Sequence, residues 1–93
     1  MERVKGFAID LKQSVFENET EAIMYVLKDV LGAETEFVFS IPVFHFTVSI
    51  KESNFKREIK QCLEQESMFK DTQKERLEQE MVRIIENWDE YPN

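Results

Sequence analysis

Ninety-three residues, 42% of them hydrophobic and eight of them phenylalanine, suffice for a single domain spanning 1–93 with one sheet layer and one helix layer, and are too apolar for a disordered chain. A net charge of −7 repels nucleic acid and anionic membrane, so neither is expected as a direct partner. One histidine and one cysteine leave little for a catalytic relay, a nitrogen-and-sulfur metal site or an internal disulfide.

The first segment, Val4 to Lys12, alternates as a strand does, with Phe7, Ile9 and Leu11 on one side and Ala8, Asp10 and Lys12 on the other. Asn18 with Glu21 three residues on resembles a capping-box spacing, and Ile23, Val26, Leu27, Val30 and Leu31 follow as a helical stripe that Gly32 closes. This predicts a helix between the first strand and the next.

Over Glu34 to Lys51 the phase of the apolar residues changes. Phe37, Phe39 and Ile41 are odd, whereas Phe44, Phe46, Val48 and Ile50 are even. A straight strand would throw the two sets onto opposite faces, so a tight turn around Pro42 is expected, giving a hairpin with an odd index sum and Phe39 opposite Phe44 or Phe46. A bulged continuous strand is the alternative. The outward side of the hairpin then carries Val38, Ser40, Val43, His45, Thr47 and Ser49, an uncharged set where a solvated face is normally charged. Threonine, serine and valine also simply favour strands.

From Ser53 the chain reads as helix. Phe55, Ile59, Cys62, Leu63 and Phe69 form one stripe, and Leu77, Met81, Ile84, Ile85 and Trp88 form another. Lys70 to Arg76 has no apolar residue, and Thr72 with Glu75 repeats the capping-box spacing, which places a break near Asp71 and predicts two helices rather than one reaching Trp88. The 4-3-4 spacing from Leu77 to Trp88 is too short for a coiled coil, so the second helix is expected to pack on the domain.

The expected fold is α+β: a small antiparallel, three-stranded sheet with helices packed on one face, in the order β-α-β-β-α(-α). Its core is Phe7, Ile9, Leu11, Ile23, Val26, Leu27, Val30, Phe37, Phe39, Phe44, Phe46, Val48, Ile50, Ile59, Leu63 and Ile84.

Chemistry finds few footholds. His45 lies on a predicted strand facing away from Phe44 and Phe46, Cys62 sits at core spacing, and Gly6 and Gly32 are too far apart to cradle a phosphate. No catalytic, cofactor-binding or metal-ligating residue is assigned, and no cofactor is expected. No stretch approaches the roughly 20 apolar residues of a membrane span, and no apolar run opens the chain as a signal peptide would, so a cytoplasmic protein of a bacterium or its phage is expected.

The functional expectation is a non-enzymatic, acidic protein-binding module, a regulator, inhibitor or adaptor acting through the uncharged sheet face and the C-terminal helix. Its candidate contacts are Val38, Val43, His45, Thr47 and Trp88, and a homodimer through the same face is a further expectation. The alternative is an acidic mimic of nucleic acid that blocks a DNA- or RNA-binding enzyme with Glu17, Glu19, Glu21, Glu34 and Glu36. A small enzyme or ligand-binding domain is the third reading.

Overall fold

The computed structural model describes residues 5–11, 14–17 and 22–90. Four strands come first, β1 (Lys5–Asp10), β2 (Ile23–Asp29), β3 (Glu36–Ile41) and β4 (Phe46–Lys51), followed by helices α1 (Phe55–Glu64) and α2 (Asp71–Glu86). The sheet is an antiparallel meander in which each strand pairs with its sequence neighbour, β1-β2-β3-β4. The α+β class and the antiparallel sheet packed against helices are as expected. The number of strands and the element order are not: among the described residues there are four strands rather than three, and all of them precede the helices.

The correction falls on the segment read as a helix up to Gly32. From Ala22 to Leu27 every residue is apolar or aromatic, so the run satisfies a period of 3.6 and a period of 2 equally well. Burial decides between them. Met24 and Val26 are buried and Tyr25 and Leu27 are exposed, the alternation of a strand. Ile23, Leu27 and Val30 therefore leave the expected core, and Met24 enters it. Beyond β2 the Asp29 carboxylate accepts the Leu31 N–H at 2.9 Å, a local turn interaction, and Gly32 does not adopt the left-handed conformation of a helix cap. The Asn18 and Glu21 spacing lies outside the described residues.

The hairpin between β3 and β4 is present, and its index sum is odd. Phe39 pairs with Val48, and Ile41 with Phe46, so the partner of Phe39 lies beyond the expected Phe44 or Phe46. The difference comes from the turn. Pro42–Phe44 form one 3-10 turn, and His45 closes it in the left-handed region at φ 55°, its N–H donating to the Pro42 carbonyl at 3.0 Å. Such four-residue connections need a final residue with positive φ, a conformation in which histidine is among the more tolerated non-glycine residues. His45 thus belongs to the turn and not to a strand.

Register places Phe7, Met24, Val26, Phe37, Phe39, Ile41, Phe46, Val48 and Ile50 on one face of the sheet, the face the helices cover. Two helices form, as the gap in apolar residues predicts. The cap is earlier than Thr72 and Glu75 suggest: the Lys70 N–H donates to the Gln73 side chain at 2.9 Å, so Lys70 is the first boundary residue of α2. Ile59 and Leu63 of α1 and Leu77, Met81, Ile84 and Ile85 of α2 are buried, and the second stripe packs on the domain.

The 16 residues of α2 extend about 24 Å, enough to run the length of the sheet. Aromatic residues mark both of its ends. Ahead of it Phe69 meets Phe16, Phe44 and Phe46 at centroid distances of 5.5, 5.5 and 5.3 Å. After it Trp88 meets Phe7 at 5.0 Å and Phe37 at 5.3 Å. Val15 and Phe16 reach the core because both of their N–H groups donate to the Leu11 carbonyl, folding the chain after β1 back under the sheet.

Candidate functional site

The face of the sheet away from the helices is built in rows by the strand registers. At one end stand Asp29, Glu36 and Lys51, side by side on β2, β3 and β4. The next row is Gly6, Leu27, Val38 and Ser49, and the one after it is Ala8, Tyr25, Ser40 and Thr47. Asp10 and Ile23 form the last. The β4 side is tied together by hydroxyl contacts, Ser40 Oγ with Thr47 Oγ1 at 3.1 Å and Ser49 Oγ donating to Glu36 at 3.1 Å.

The β1–β2 side is apolar and open. Tyr25 is 51% exposed and Leu27 is 38% exposed. Gly6 is the reason Leu27 can lean toward β1, since a β-carbon there would sit 3.0 Å from the Val26 carbonyl oxygen and 3.3 Å from Leu27 Cδ1. Small residues at Gly6 and Ala8 beside the larger Tyr25, Leu27 and Val38 produce a shallow apolar depression of about 530 Å³. Among the described residues nothing covers this part of the sheet, and its middle rows carry no charged side chain.

The expected contact residues divide among three places. Val38 and Thr47 lie on the open face. Val43 and His45 lie in the hairpin turn beyond its end, and both are exposed. Trp88 is 6% exposed on the opposite side of the sheet, where its ring closes the core against Phe7 and Phe37. Tyr25 and Leu27 were missed because their segment reads as a helix. As a strand it puts both of them on the face of Val38, which is the signal that would have found them.

The expected acidic patch is divided as well. Glu17 follows Phe16 near the hairpin turn and pairs with Arg76 at 3.2 Å. Glu34 and Glu36 stand at the far end of β3, Glu34 accepting from Ser53 at 3.4 Å and facing the Lys51 ammonium at 3.6 Å. Glu19 and Glu21 lie outside the described residues.

A second depression, of about 560 Å³, lies at the hairpin end between Phe16, Phe44 and Phe69, with Arg76 on its rim already paired to Glu17. Cys62 donates to the Ile59 carbonyl at 3.2 Å. Burial, reinforced by Glu58 and Glu66, pushes its thiol up to about 11, which keeps it protonated and a poor nucleophile at neutral pH. Among the described residues no His, Cys, Asp and Glu gather as metal ligands, and no helix is long and apolar enough to cross a membrane.

No protein-family model matches the chain, and comparisons with curated proteins and with solved structures give no match.

Proposed function

We propose that the chain is a protein-binding module, a non-enzymatic regulator or adaptor that engages another protein through the open face of its sheet. One observation carries this reading: Tyr25 and Leu27 are exposed together beside Val38, Gly6 and Ala8 on the sheet face that the helices leave bare. Exposed apolar side chains scattered singly are ordinary, whereas a contiguous patch on a flat, hydrogen-bonded scaffold is the usual core of an interface.

The C-terminal helix plays a narrower part than its stripe suggests. Leu77, Met81, Ile84 and Trp88 are spent on the domain's own core, so the helix supports the sheet from behind and offers its partner no apolar anchor of its own. The separation of Glu17 from Glu34 and Glu36 lends no support to an acidic mimic of nucleic acid.

The experiment is affinity capture of the tagged chain from a lysate of its own source, with Leu27→Glu as the control. A stoichiometric partner that survives high salt and disappears with Leu27→Glu is expected. A partner that Leu27→Glu retains would move the contact off this face, and recovery of the chain alone would remove the reading.

A further inference from the structure

We infer that the occupant of the open face is a basic amphipathic helix of the partner, an inference that rests on the protein-binding reading and adds the chemistry of what binds. The shape comes first. The apolar strip runs along β1 and β2, two strands that together are about 10 Å across, and its floor is low at Gly6 and Ala8 and raised at Tyr25 and Leu27. That width is close to the 10–12 Å diameter of an α-helix with its side chains. An extended segment laid on a sheet face finds no ladder partners for its N–H and C=O groups, whereas a helix brings its backbone already satisfied.

Charge then sets the ends. From Ile23 to Asp29 the strip is about 20 Å long, or about 13 helical residues. Asp10 stands at one end, and Asp29 and Glu36 stand at the other. Asp29 and Glu36 are direct cross-strand neighbours, a like-charge pairing that costs stability in an isolated sheet, and the nearby Lys51 ammonium is engaged by Glu34 instead of lying between them. A cation supplied from outside relieves that pair. Both carboxylates keep acceptor capacity beyond the single hydrogen bonds each makes within the chain.

A second copy is the poorer occupant, since it brings the same acids and the same net charge of −7 to the contact. The complementary ligand is a helix with apolar residues at i, i+3, i+4 and i+7 and Lys or Arg flanking them about 13 positions apart.

A displayed library of helical peptides of about 18 residues, covering that strip with one spare turn, tests this on the full chain. Selected peptides are expected to combine an apolar stripe with Lys or Arg at both ends and to shift the amide resonances of Gly6, Ala8, Tyr25, Leu27 and Val38. Their affinity is expected to fall about tenfold in Asp29→Asn with Glu36→Gln, together with most of its salt dependence. Both of those positions are half-buried, so loss of the fold is separated from loss of binding by the unchanged spectrum of the free variant. Selection of peptides with neutral or acidic ends that map to the same amides overturns the basic helix and leaves the protein-binding face standing, as does a dimer in sedimentation that Leu27→Glu dissolves. Peptides that map elsewhere, or none at all, overturn both.

Discussion

The two faces of the sheet are made by the same four strands and differ in almost everything else. On the covered face Phe37, Phe39, Met24 and Ile41 are fully buried, and the rings that flank α2, Phe69 and Trp88, meet the strands at both ends. On the open face the residues one step along are Val38, Ser40, Tyr25 and Leu27, of which Tyr25 and Leu27 are exposed. Large aromatic volume is invested where it stabilises the fold, while the open side keeps apolar surface that the fold leaves exposed at Tyr25 and Leu27. The comparison separates stability from binding, and substitutions can be chosen to strike one without the other.

The largest contrast is between Phe39 and Leu27. Phe39→Ala empties a fully buried site and is expected to cost about 3–5 kcal/mol in a denaturant titration. Leu27→Ala, one strand away and facing out, is expected to change stability by less than about 1 kcal/mol while weakening capture of the partner. Equal losses at the two positions would mean that the open face is part of the core.

A middle-sized effect is expected at the turn that keeps the two faces in phase. His45 holds φ 55°, so His45→Val places a β-branched residue where it is strained, and a loss of about 1–2 kcal/mol is expected. His45→Gly supplies the same backbone at no steric cost and is expected to match or exceed the parent in thermal unfolding. A loss of the same size with glycine would show that the imidazole itself holds the turn.

The smallest effect lies at the margin of the covered side. The Cys62 thiol is raised by burial, so the folded state holds its proton more tightly than the unfolded chain, and the stability it contributes is complete below the unfolded value near 8.5 and lost as pH rises through about 11. Alkylation of the folded chain by iodoacetamide is expected to be slow at neutral pH and to rise toward pH 11. A half-maximal rate near pH 8.5 would place Cys62 in water instead of under the sheet.

Much of this architecture is legible in the residues, and the parts that are not fail for one reason. The odd-to-even shift from Phe39 to Phe46 demands a turn, and the charged gap from Lys70 to Arg76 demands a helix break; both are found. Each is a change of pattern, which a single sequence shows well. The run Ala22 to Leu27 has no pattern to change, because a central strand with apolar residues on both faces meets every periodicity at once. Reading it as a helix hid β2, and with it the half of the candidate site that Tyr25 and Leu27 supply. The Val38 and Thr47 half was visible because β3 and β4 alternate cleanly. Trp88 could not be placed from its spacing alone, since an anchor inside the core and an anchor in an interface share the same sequence signature.

The contact of Trp88 with Phe7 joins the first strand to the residues just after the last helix, and this sets an order of assembly. Every strand pairs with its neighbour in sequence, so the meander can form from local closures, the fast kind, as soon as β4 has been synthesised. Its cover arrives later. Until α2 and Trp88 follow, Phe7 and Phe37 lack the ring that closes over them, and a nascent chain paused before Trp88 carries a sheet that is apolar on both sides. The vulnerable interval therefore lies between the synthesis of β4 and that of Trp88, and loss of the turn that carries Trp88 would make the chain a substrate for chaperones and proteases even with all four strands in register.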